Sequence, residues 1–346
     1  MDNRPMFILT MVVGVVLSLI LTTGFGAVPI SGIDVLQSII AKSGFPVDPE
    51  LGGTTQSIIW NIRLPRVLLS MLVGASLALS GAALQGLFRN PLADPSIIGI
   101  TAGAALSAAT VIVLGGELLA QMPQLSGLTI LSTATFLGAM LSTFLIFGIA
   151  QEKRRTNVAT MLLGGIAINA LAAALTGLLI YLADDAQLRS LSFWTLGSMG
   201  GANWYQVGMM VPVFAISLFG VLRLRKAFNA LSLGEAEAEF IGIETEKIKR
   251  QVVIATSLAV GASVAFCGMI GFIGLVVPHV LRIIGGSNHG FLIPASALGG
   301  GILLCWADAL ARTMVAPAEL PIGVLTALAG APVFLIILLQ QRKQLF

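Results

Sequence analysis

Ten apolar stretches separated by short polar connections constrain this chain more than any motif does. A segment crosses the hydrocarbon core of a bilayer with roughly 20 mainly apolar residues. Stretches of that kind lie at 6–28, 64–87, 97–115, 127–150, 158–182, 206–222, 250–268, 270–285, 291–311 and 321–339. In lipid every backbone amide and carbonyl must find its partner within the protein, so such stretches are expected as helices. Of the 346 residues 56% are hydrophobic and only 10% charged. Soluble domains carry about 25% charged residues, so a water-soluble fold is excluded. The expectation is an all-α polytopic membrane protein with ten transmembrane helices in a single domain, 1–346. The N-terminal run has no A-x-A-type cleavage site and is read as a retained first span.

Basic residues set the orientation, because cytoplasmic loops carry the excess of Lys and Arg. With the N-terminus inside, the inner segments hold Arg4, Arg89, Lys153, Arg154, Arg155, Arg223, Arg225, Lys226, Lys247, Lys249, Arg250, Arg282, Arg342 and Lys343. The outer segments hold Lys42, Arg63, Arg66, Arg189 and Arg312. Fourteen against five places both termini in the cytoplasm. The net charge of +3 leaves no footprint for nucleic acid.

Cys267 and Cys305 fall inside apolar stretches, which gives a disulfide framework little support. His279 and His289 stand ten residues apart with no close ligand pair, so no metal site and no cofactor are expected. No lysine follows a glycine, so the phosphate-binding pattern G-x-x-x-x-G-K-[ST] cannot occur. The chain is therefore expected not to be an enzyme, and any ATP hydrolysis must come from a separate subunit.

Small residues recur at four-residue spacing, as Gly74, Ala78, Ala82 and Gly86, as Gly99 and Gly103, and as Gly165, Ala173 and Gly177. Such stripes let helix backbones approach closely; they either pack spans together or line a path. Gly268, Gly271 and Gly274 ahead of Pro278 predict a compact reversal or a broken helix. The longest polar interruption, Arg223 to Arg250, holds a glycine-bracketed acidic run with Glu235, Glu237 and Glu239 among Ala236, Ala238, Phe240 and Ile241. Two readings fit it: a short amphipathic helix that docks another protein, or an ordinary solvated loop.

On the outer side, Arg63 and Arg66 flank Pro65 where the second span is expected to start, and Arg312 ends the ninth. Three exposed arginines on one rim either receive carboxylates of a soluble partner or anchor helix ends at the interface. Asp308, four residues before Arg312, is placed to neutralise it. Asn169, deep in the fifth span, either lines a path or bonds to a neighbouring helix. An ion-coupled carrier is the alternative of another class, and its candidate carboxylates Asp94, Glu117 and Asp308 all lie at span ends.

Five ordered segments carry a resemblance: Ile62-Arg-Leu-Pro-Arg66; Gly81-Ala-Ala-Leu-Gln-Gly-Leu-Phe-Arg-Asn-Pro-Leu-Ala-Asp-Pro-Ser-Ile-Ile-Gly99; Leu233-Gly-Glu235; Gly271-Phe-Ile-Gly-Leu-Val-Val-Pro-His279 with Arg282; and Glu319-Leu-Pro-Ile-Gly323 leading to Gly330-Ala-Pro-Val-Phe334. Over nearly its whole length the chain resembles the FecCD-type permeases, which serve ferric siderophores, haem and vitamin B12. The resemblance implies the type II ATP-binding-cassette (ABC) importer permease fold, a homodimer around a central path, two cytoplasmic ATP-binding subunits and a periplasmic substrate-binding protein. It puts the chain in the bacterial inner membrane. It implies that Arg63, Arg66 and Arg312 meet glutamates of the binding protein. It also implies that residues 231–243, with Ser232, Leu233, Gly234, Glu235, Ala236, Glu237, Phe240 and Gly242, rest on the ATPase. The loop from Arg154 to Thr160, with Thr156 and Asn157, is the expected cytoplasmic gate, and the fifth span, with Asn169, the expected lining. The version Leu87-Phe-Arg-Asn-Pro-Leu-Ala-Asp-Pro95 is most similar to haem permeases, with a ferric siderophore and then cobalamin as alternative cargo. His279, within the eighth span, and His289, expected in a cytoplasmic loop, are read as structural, so haem would be enclosed by apolar and small side chains.

Overall fold

A computed structural model describes residues 4–26, 28–42, 52–116, 127–153 and 155–345, with side chains described as far as residue 339. Glu117 and Arg154 lie outside the described residues. In chain order the helices are α1 (Arg4–Gly24), α2 (Gly32–Lys42), α3 (Gly53–Phe88), α4 (Ile100–Leu114), α5 (Gly127–Ile149), α6 (Val158–Leu182), α7 (Asp185–Leu196), α8 (Trp204–Arg223), α9 (Arg225–Leu231), α10 (Glu235–Phe240), α11 (Thr245–Cys267), α12 (Ile273–Gly285), α13 (His289–Ala311) and α14 (Ile322–Leu345). A two-residue antiparallel hairpin, β1 (Gln151–Glu152) and β2 (Arg155–Thr156), precedes α6.

Each expected apolar stretch falls on a helix, but only eight of these helices have spanning length. The 15-residue α4 and 13-residue α12 rise about 20 Å, against roughly 30 Å of hydrocarbon. Both are short because the backbone turns at their ends: Gly99 (φ 79°) opens α4, Phe272 (φ 69°) opens α12 and Gly286 (φ 84°) closes it. The second span, by contrast, starts earlier than Pro65 suggests. α3 begins at Gly53 and passes through a π turn at Ile59–Arg63. Proline cannot give the carbonyl four residues back its bond, and the wider turn just ahead of Pro65 absorbs that defect.

α3 is the axis of the bundle and is buried along nearly all of Leu64–Phe88. A Cβ on Gly74 would overlap the carbonyl of Gly300 in α13, and one on Gly81 would overlap that of Gly274 in α12. This stripe therefore packs backbone on backbone. Gly103 packs on Gly138 of α5 in the same way, and Gly165 on the carbonyl of Ile97. Ala173 and Gly177, however, face outward from α6, which like α1, α8 and α14 leaves most of its surface uncovered.

The break expected ahead of Pro278 lies between α11 and α12, at residues 268–272. Pro278 lacks the N–H that would bond Gly274, so that carbonyl needs another donor. Gln85 of α3 supplies it: Nε2 donates to the carbonyls of Gly274 (3.2 Å) and Leu275 (3.3 Å), while Oε1 accepts from Arg282 Nη2 (2.8 Å). A buried amide thus closes a proline break and holds a guanidinium at once. Replacing Gln85 by leucine keeps the volume but leaves buried groups unpaired, at about 1–3 kcal/mol each. The expected result is a lower unfolding midpoint for the detergent-solubilised variant.

Candidate functional site

The outer arginines were expected to be exposed, and the structure corrects this: Arg63, Arg66 and Arg312 are all buried. A guanidinium carries five donors and no acceptor, so in apolar surroundings it gathers carbonyls and carboxylates. Arg63 Nη1 donates to the carbonyls of Thr23 (3.0 Å) and Gly24 (2.8 Å), and Nη2 to that of Val28. It thereby caps the C-terminus of α1, whose last carbonyls have no helical partner. Arg66 lies between two carboxylates. Its Nε (3.0 Å) and Nη2 (2.9 Å) reach Asp308 Oδ1, and its Nη1 (2.8 Å) and Nη2 (2.9 Å) reach the two oxygens of Glu319. Asp308 is 1% exposed.

The expected neutralisation of Asp308 by Arg312 is only a loose contact of 3.7 Å; Arg312 Nη2 donates instead to the carbonyl of Thr22 (2.7 Å). The tight counter-ion of Asp308 is Arg66, 242 residues away in sequence. Three arginines against Asp308 and Glu319 leave the cluster with one excess positive charge. Glu319 is its open member, with a side chain 44% exposed. Hydrogen bonding to Arg66 holds its carboxyl below the usual range against partial desolvation. The pairing is therefore complete at neutral pH and fades only as pH falls through that lowered pKa. Glu319 was legible as part of the Glu319-Leu-Pro-Ile-Gly323 segment, without a role.

At the other end, residues 231–243 hold the short helix α10, one of the two readings left open for this segment. Two of its three carboxylates are engaged, Glu235 with Lys249 and Glu239 by accepting from Thr245 Oγ1 (2.8 Å), while Glu237 is exposed. Ala238 is fully buried and seats the helix. The large apolar side chains face out, with Leu233 75% and Phe240 92% exposed and Ile241 beside them. Large apolar side chains exposed on an otherwise polar connection are a feature that calls for a covering partner.

The segment expected as the gate lies nearby. Thr156, the last residue of β2, is buried; its N–H donates to Glu246 Oε2 (2.8 Å) and its carbonyl accepts from Lys249 Nζ (2.9 Å). Asn157 caps α6 by accepting from the Thr160 amide (3.1 Å). A 580 Å³ cleft between these elements is lined by Arg89, Lys153, Asn157, Glu235, Glu246 and Lys249. Asn169, further along α6, donates from Nδ2 to the carbonyl of Ser96 (3.2 Å), in the 3-10 turn Pro95–Ile98 that precedes α4. It bonds between helices. The carboxylate of Asp94 caps that same turn through the Ser96 amide (2.9 Å).

His289 does not lie in a loop. It is the first residue of α13, capped by Asn288, stacked on Phe228 at 5.2 Å and 3.0 Å from Asn229 Oδ1 through Nδ1. His279 is buried in α12, and Cys267 and Cys305 are buried and unbridged. Among the described residues no group of three His, Cys, Asp or Glu could hold a metal ion.

The described residues thus form a bundle of apolar helices with a charged cluster towards each end. The chain belongs to the FecCD transport family, whose model matches residues 12–340. It is 46% identical over 291 residues to the hemin transport system permease protein HmuU of Yersinia pestis, covering 83% of this chain and 84% of that one. It is 39% identical over 285 residues to the cobalamin import system permease protein BtuC of Halobacterium salinarum, covering 82% and 74%. A solved structure described as a metal-chelate type ABC transporter in an inward-facing conformation superposes with a TM-score of 0.84 at 32% identity, covering 97% of this chain and 99% of that one. The chain is a membrane-spanning subunit of the ABC importer class.

Proposed function

We propose that the chain forms a homodimer with two cytoplasmic ATP-binding subunits and a periplasmic substrate-binding protein, and carries haem into the cytoplasm by alternating access. The 46% identity to a hemin permease across most of both chains carries the choice of cargo. The dimer is supported by α6 and α14, whose uncovered apolar surfaces include the small residues Ala173 and Gly177, suited to close helix approach. Both termini lie on the cytoplasmic side of the inner membrane, a reading supported by the distribution of basic residues.

Docking of the binding protein falls to the outer cluster. Because Arg63, Arg66 and Arg312 are already partnered, a carboxylate of the binding protein is received by exchange with Glu319, the exposed member, and by the excess positive charge. Residues 231–243 rest on the ATP-binding subunit through Leu233, Phe240 and Ile241, and the segment Thr156–Thr160 gates the inner mouth. The ion-coupled alternative is left little chemistry: Asp94 is a turn cap and Asp308 is paired with Arg66.

The cargo is tested by reconstituting the complex in liposomes with its binding protein and measuring ATP hydrolysis with haem, a ferric siderophore or cobalamin. Stimulation by haem above the other two is expected. Stimulation by cobalamin alone would reassign the cargo, and failure of any ATP-binding subunit to co-purify would return the ion-coupled reading.

A further inference from the structure

The ATPase-facing surface and the gate segment are distinct elements, so something must join them. Lys249, one turn into α11, has a side chain only 6% exposed. An ammonium has three donors, and here each goes to a different element. Nζ donates to Glu235 of α10, to Glu246 Oε1 of α11 (2.9 Å) and to the carbonyl of Thr156 in β2 (2.9 Å). Glu246 closes the ring by accepting the Thr156 amide through Oε2. Both backbone polar groups of Thr156 are thus held by side chains of α11, and the next residue, Asn157, caps α6.

Among the described residues, α10 and the hairpin also meet in one direct ionic contact, Arg155 with Glu239, at 3.9 Å with both side chains well exposed. A pair of that kind contributes little, so Lys249 is the stiff connection. We infer that Lys249 is the positioning residue that delivers movement of α10 to the hairpin and to the start of α6. The inference rests on the coupling role proposed for residues 231–243.

The test uses the reconstituted complex with nucleotide as the probe. A cysteine is placed at Ala159, exposed in the first turn of α6, and its maleimide labelling rate is measured with and without ATP and orthovanadate. The buried Cys267 and Cys305 give a low background. With Lys249 present the rate is expected to change with nucleotide; in Lys249→Met the change is expected to be lost while the ATP-binding subunit is still captured. Lys249→Arg, which keeps the charge, is expected to return part of the response. Should Lys249→Met fail to fold, Glu235→Gln, which cuts only the arm to α10, carries the same expectation of loss. A variant that binds the ATP-binding subunit and keeps the full nucleotide response overturns the inference. If the unaltered chain captures no ATP-binding subunit, the coupling role fails instead, and that result is read before any variant is made.

Discussion

Replacing Arg66 by alanine is expected to cost about 3–5 kcal/mol, because it leaves the carboxylate of Asp308 buried without its counter-ion. The loss should appear as a collapse in the yield of folded protein and a large fall in its detergent unfolding midpoint. The double variant Arg66→Ala with Asp308→Asn is expected to recover most of that loss, since it removes both charges. If the single and double variants unfold alike, the pair is not the source of the cost. For the same reason, reversing Arg66 to glutamate would abolish transport by unfolding the chain, whatever the binding protein contacts. Glu319, half open and off the spans, is the residue whose substitution probes docking with the core left intact.

Replacing Phe240 by aspartate is expected to weaken capture of the ATP-binding subunit by roughly 30-fold, equivalent to about 2 kcal/mol for a central apolar contact. Leu233→Asp should act in the same direction. Neither should move the unfolding midpoint appreciably, because both side chains are exposed in the isolated chain. Binding measured by titration against the purified ATP-binding subunit separates the two quantities. Unchanged affinity in both variants would remove residues 231–243 from the contact.

The helices were legible because a span is a local property: about 20 apolar residues in a row announce it wherever the rest of the chain lies. What escaped were relations between distant residues. Nothing near Arg66 in sequence points to Asp308, and the i,i+4 neighbour Arg312 looked the better partner until the packing of α3 on α13 brought Arg66 within 3.0 Å. The acidic run in α10 left a docking helix and a solvated loop both open for the same reason, since the partners of Glu235 and Glu239, Lys249 and Thr245, lie on the next helix. The helix α7 and the early start of α3 were missed because their sequences are not continuously apolar. His289 was assigned to a loop because Ser287-Asn288 reads as a connection, when Asn288 is in fact the cap of α13.

The central position of α3 has a consequence for biogenesis. It is made early, yet the surfaces that enclose it, on α11, α12 and α13, are the last third of the chain to leave the ribosome. Until α13 arrives, Arg66 has no Asp308 and Gly74 no backbone to lie against. A chain ending before α13 therefore lacks both carboxylates that hold Arg66, and the packing of α3 is completed only by the last third of the sequence.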